Sequence, residues 1–102
     1  MTKGSTSTLK FILPFNTSLL KEVNIIVKDY KHPKMYTVVK HLNDCEVGEK
    51  TLRTTISAEE MMKFDENHKV KIQLQCTFTD GQKQNSVVFY RDIKELLDEE
   101  VI

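Results

Sequence analysis

The chain has no tryptophan, only three glycines, two prolines and two cysteines, and no excess of either charge among its 102 residues. Each shortage excludes something. Fifteen basic residues against fifteen acidic ones leave no bulk field to draw in nucleic acid or an anionic membrane. The cysteines, Cys45 and Cys76, sit in no CxxC spacing and no Cys/His ladder, so a zinc site is not expected. The glycines, Gly4, Gly48 and Gly81, build no phosphate loop, and neither HExxH nor GxSxG occurs. No apolar run approaches the ~20 residues of a membrane span, and "MTKGSTST" contains no hydrophobic signal region. The expectation is a protein made and folded in a cytoplasm, where the Asn16-Thr17-Ser18 sequon has no glycosylation meaning.

What is present suits one folded unit. Hydrophobic residues make up 39% and charged residues 29%, a balance that favours a globular core over disorder. A chain of this length buries roughly two-thirds of its unfolded surface, enough for one core without metals or disulfides. Residues 1–50 are net basic and residues 51–102 net acidic; ordinary solvated faces account for this more simply than head-to-tail packing of subunits.

The patterning is that of strands. Residues 1–8 are small and polar and read as a flexible arm. Leu9, Phe11 and Leu13 then alternate with Lys10 and Ile12 up to Pro14. "NTS" (16–18) gives a turn, and Val23, Ile25 and Val27 begin a second alternation that reaches Tyr30. "MYTVVKHL" (35–42) is a third strand, Asn43 to Lys50 has turn chemistry around Gly48, and Leu52, Thr54 and Ile56 form a fourth. The clearest signal is "VKIQLQCTFT" (70–79). Val70, Ile72, Leu74, Cys76 and Phe78 take one face, as in a half-buried antiparallel strand, and place Cys76 as a buried free thiol. Asp80-Gly81 supplies a hairpin turn, and "SVVFY" (86–90) is the return strand. Asp92 and Glu95 have capping-box spacing before Ile93, Leu96 and Leu97, which predicts a short C-terminal helix. The expected fold is therefore mainly β. It is an antiparallel sandwich (immunoglobulin-like) or small barrel of about six strands over residues 9–102, with one short helical turn between strands.

Several stretches invite a chemical reading. "SAEEMMKF" (57–64) sets two carboxylates side by side. However, Ser57 and Glu60 have capping-box spacing, and consecutive helical residues point about 100° apart, so Glu59 and Glu60 do not converge on one atom. Glu59 would face Lys63, and Met61 or Met62, with Phe64, would plug the sheet. His41 and Cys45 are separated by a predicted turn and lack a second ligand pair, while His32 lies beside Pro33 and His68 opens a strand. No catalytic, metal or cofactor residues are implied, and the chain is not expected to be an enzyme. "KDYKHPKMY" (28–36) interleaves lysines with tyrosines, as single-stranded nucleic-acid binders do. Lysines also guard hairpins against edge pairing, and with no net charge this second reading is preferred. Two features look like docking elements: the polar arm, and the end "LLDEEVI", whose Leu96, Leu97, Val101 and Ile102 are candidate assembly contacts. That end could pack on its own domain or insert into a neighbour, and a free edge strand extending a neighbour's sheet is a general route for such assembly.

The opening "KGSTSTLKFILPFNTSLLKEVNIIV", the segment "SAEEMMKF", the strand "VKIQLQCTFTDGQ" and the acidic-aliphatic "LLDEEVI" together resemble a family of small proteins encoded by phages and prophages of Firmicutes. The resemblance spans nearly the whole chain. It implies a structural component of the virion, of the tail, baseplate or a head appendage. It carries no catalytic residues, and implies as partners other virion proteins or further copies of the chain, with neither nucleic acid, membrane nor small-molecule substrate. The place implied is the bacterial host cytoplasm during assembly, then the particle. A small phage-encoded protein that binds and inhibits a host factor is the alternative, though such proteins are often strongly acidic and this chain is neutral.

Overall fold

The strict alternation of residues 70–79 becomes the central strand of one sheet, and the other strands follow from what it needs on each side. The computed structural model describes residues 6–30, 37–64, 69–83, 87–92 and 99–101. Its strands are β1 (Ser7–Ile12), β2 (Leu20–Asp29), β3 (Thr37–His41), β4 (Glu46–Val47), β5 (Thr51–Ile56), β6 (Lys69–Phe78), β7 (Val87–Asp92) and β8 (Glu99–Val101); one helix, α1 (Ala58–Met61), lies between β5 and β6. They form two four-stranded sheets, ordered β4-β5-β1-β8 and β3-β2-β6-β7. Every pairing is antiparallel except that of β1 with β8.

The result is a sandwich of immunoglobulin-like connectivity. In the lettering of that fold β1 to β7 correspond to strands B, C, C′, D, E, F and G. β8 occupies the edge where strand A would pair with B, but it runs parallel to β1, with Thr8 opposite Glu99 and Lys10 opposite Val101.

Register shows why the core forms where it does. Residues directly opposite in an antiparallel pair share a face. Val23, Ile25 and Val27 of β2 stand opposite Cys76, Leu74 and Ile72 of β6, and all six are buried. Leu9 and Phe11 of β1 and Leu52 and Ile56 of β5 supply the facing layer, and the two layers make one continuous core. Phe11 meets Phe89 of β7 across the sandwich, with ring centroids 6.4 Å apart.

The six expected strands are present, and the sequence reading is corrected at three points. β1 takes in Ser7 and Thr8, assigned above to the arm. Ser7 is buried and Thr8 pairs with Thr55, because the β5 ladder extends to Ile56 and small residues fit beneath it. The first five residues of the arm lie outside the described residues. Glu46–Val47, read as turn, form β4 against Arg53 and Leu52 of β5. Glu99–Val101 form a strand, because β1 offers them an open ladder. The expected helix positions Ile93, Glu95, Leu96 and Leu97 lie outside the described residues.

The turns follow the predicted chemistry. Asn16 caps a single 3-10 turn at Thr17–Leu19, its side chain accepting from the Ser18 amide. Gly81 adopts φ +88°, a conformation open to glycine and costly for other residues. Asp80 fixes the same turn by accepting from the Gln82 amide at 2.9 Å.

Candidate assembly surface

Of the acidic pair of "SAEEMMKF", Glu60 closes the cap of α1. The Ser57 hydroxyl accepts from the Glu60 amide at 3.1 Å, and the Glu60 carboxylate accepts from the Ser57 amide at 3.1 Å, a complete capping box. Glu60 also takes the Lys40 ammonium of β3 at 3.0 Å, which ties the crossover to the opposite sheet. Met61 and Phe64 are buried, and Met62 is exposed, so the helix phase selects one methionine for the core. Partial burial raises the Glu60 pKa, but its hydrogen bonds to Ser57 and the neighbouring Lys40 outweigh that and hold the carboxyl below the ordinary glutamate range.

This has a measurable consequence. A carboxyl whose pKa falls on folding stabilises the fold above its unfolded pKa, about 4.3, and that contribution is lost as the pH drops through the folded value. Glu60→Gln keeps the reach to Ser57 and removes the charge. It should cost ~0.5 kcal/mol at neutral pH, with the difference from wild type vanishing in acid. Urea midpoints measured for both chains from pH 7 down to pH 3 test this. A constant difference across that range would remove the charge from the account.

The described histidine and cysteine candidates, His41, Cys45 and Cys76, do not assemble into a site. His41 Nδ1 is 2.8 Å from Asn24 Oδ1, and its amide donates to the Asp44 carboxylate at 2.9 Å. The Cys45 thiol donates to the His41 carbonyl at 3.3 Å, and burial pushes its pKa up, the reverse of what an activated nucleophile needs. Cys76 is buried on β6, and its pKa is likewise raised by burial. Among the described residues no group of three His, Cys, Asp or Glu could hold a metal ion, and no helix is long and apolar enough to cross a membrane. His32 and His68 lie outside the described residues.

The surface that stands out is built on β7 and the outward face of its sheet. β7 pairs with β6 on one side, and no described strand pairs its other side. Phe89 and Val87 stand opposite the inward residues Ile72 and Leu74. Val88 and Tyr90 stand opposite the outward Gln73 and Lys71. Val87 is 41% exposed, Val88 37% and Tyr90 49%. Beneath β7 the sandwich opens in an apolar groove of about 200 Å³ lined by Phe11, Leu13, Phe15, Leu74, Val87 and Phe89. On the outward face a row runs Val39, Ile26, Gln73, Val88. Beside it Tyr30 and Tyr90 pack edge to face at 5.3 Å.

The other edges are less inviting. β4 has two residues and β8 three, too short to template a neighbour. β3 carries Lys40, committed to Glu60. Of the "KDYKHPKMY" stretch, Lys28 stands directly opposite Lys71 on the outward face, and residues 31–36 lie outside the described residues.

Of the assembly contacts expected from sequence, Val101 is the last residue of β8, and its backbone joins β1 of its own chain. Leu96, Leu97 and Ile102 lie outside the described residues. The β7 edge was missed as a site, although it has a signal: "VVFYRD" contains neither the lysine nor the proline with which exposed edges are usually blunted.

No protein-family profile, curated protein or solved structure matches the chain.

Proposed function

We propose that the chain is a non-enzymatic assembly module acting through protein–protein contacts. From the resemblance carried by its opening strand and by "SAEEMMKF", we propose further that it is a structural component of a phage virion, in the tail, baseplate or a head appendage. The observation that carries the assembly reading is the outer side of β7, which no described strand pairs and along which Val87, Val88 and Tyr90 are exposed. An exposed edge of this composition is a template for another chain, and a monomer that worked alone would gain by blunting it. The partners proposed are other virion proteins or copies of the chain itself.

Mass spectrometry of purified particles, from a host carrying the gene, tests the virion assignment. The chain should appear at a stoichiometry that survives washing. Its absence from particles, with the chain abundant in the infected cell, would favour the host-factor inhibitor and end the virion reading.

A further inference from the structure

We propose that the outward face of the β3-β2-β6-β7 sheet binds single-stranded nucleic acid at the end where Tyr30 and Tyr90 meet. This is an activity separate from the assembly role above. Two rows of side chains cross the sheet there. Lys28 of β2 stands opposite Lys71 of β6, and Lys71 stands opposite Tyr90 of β7. Two residues further along, the Tyr30 amide donates to the Lys69 carbonyl at 2.8 Å, and Lys69 stands opposite Asp92. Residues two apart on a strand share a face, so three lysines, two tyrosines and one aspartate form a single patch.

Folding alone does not account for these lysines. Like charges directly opposite on neighbouring strands are destabilising, and Lys28 against Lys71 is such a pair. Lysines that guard a sheet against unwanted pairing stand on its edges. These three stand on β2 and β6, the two inner strands, so the edge-guard reading of "KDYKHPKMY" does not extend to Lys28. Among the described residues no acid forms an ion pair with Lys28, Lys69 or Lys71, and their charge is open to an anion from outside. The chain's charges balance overall, which confines the attraction to this patch.

The tyrosines select the kind of anion. Both are exposed, and their rings meet edge to face at 5.3 Å, spanning β6 from the row of Lys69 to the row of Lys71. Single-strand binders combine cations that track the phosphates with aromatic rings on which bases stack. Lys69 and Lys71 are about 7 Å apart along their strand, on the scale of successive phosphates in an extended chain. A carboxylate segment would use the lysines alone, and a duplex keeps its bases stacked inside. An unpaired strand presents phosphates and ring faces together. Nothing in the patch reads base edges, so binding should show no sequence preference.

The test uses the whole chain and a fluorescein-labelled thymidine strand of about a dozen nucleotides. Anisotropy should saturate with a Kd on the order of 10⁻⁵ M at about 50 mM salt. Log affinity should fall against log salt with a slope of about −2, as three phosphate contacts to a single strand require. Lys28→Gln with Lys71→Gln should weaken binding at least ten-fold and flatten the slope to about −0.7, with the thermal transition retained because a like-charge pair is removed. Tyr90→Ala should weaken it at least five-fold with the slope unchanged, the effect of one lost stacking partner. Lys10→Gln, on the other sheet, should change neither.

A chain that leaves the anisotropy unchanged up to about 1 mM, well above the range of non-specific binding, overturns the proposal. So does a duplex bound as tightly as the single strand. Poly-glutamate that displaces the strand at equal charge concentration would assign the patch to an acidic protein and overturn it as well. Mass spectrometry of particles bears on the virion role and this titration on the sheet face, so either can fail alone.

Discussion

Phe64→Ala is expected to lower the stability of the fold by about 3–5 kcal/mol and Met61→Ala by about 2–5 kcal/mol, whereas Met62→Ala should change it by less than about 0.5 kcal/mol. The three residues lie within four positions of one another, and differ in direction. Met61 and Phe64 are 0% and 1% exposed, and Met62 is 62% exposed. Both buried side chains close the core where β5 crosses to β6, a place where no described strand can collapse into the space left behind. A domain of this size is stable by about 5–15 kcal/mol in all, so the Phe64 variant should stand close to its unfolding threshold. Urea unfolding followed by circular dichroism gives the three values under one set of conditions. Equal losses for the two methionines would mean that α1 docks through a different face.

The second large effect concerns the thiols. In the native chain Cys76 should react with a thiol reagent at least ~10³-fold more slowly than Cys45, because it becomes accessible only in the rare unfolded fraction. Cys76 is 2% exposed and stands opposite Val23, between the two sheets. Cys45 is half-buried at the turn before β4. It should react without unfolding, yet more slowly than a free thiol at neutral pH, because burial raises its pKa and the thiolate is the nucleophile. Above the urea midpoint the two rates should converge. Two equally fast thiols in the native protein would place Cys76 outside the core and overturn the face assigned to β6.

Much of this architecture was legible because one period dominates. Alternation in residues 70–79 gave β6, its inward face and the burial of Cys76; shorter alternations gave β1, β2 and β5, and runs of β-branched and aromatic residues gave β3 and β7. The spacing of Ser57 and Glu60 gave the helical crossover, since a capping box is a local device complete within four residues. What escaped depends on distant partners. Which methionine enters the core is set by helix phase against a sheet formed elsewhere, and both are apolar. Glu99–Val101 has little strand propensity of its own; it pairs because β1 presents an open ladder, a case of tertiary context overriding composition. The β7 surface was obscured for a related reason. "VVFY" is apolar at successive positions, so no alternation separates an inward from an outward face, and only its place at the sheet margin exposes both.

The parallel pairing of β8 with β1 bears on how the chain comes to be folded. The pairing of Thr8 with Glu99 closes a very long loop, and such contacts are slow to form. During synthesis β1 leaves the ribosome before β8, and the margin that β8 pairs waits until Glu99–Val101 have followed. Until they pair, a newly made chain offers the margin of β1 in addition to the sheet edges that the finished one keeps. Concentration and the rate of translation, rather than final stability alone, should therefore govern how much of the protein is recovered correctly folded.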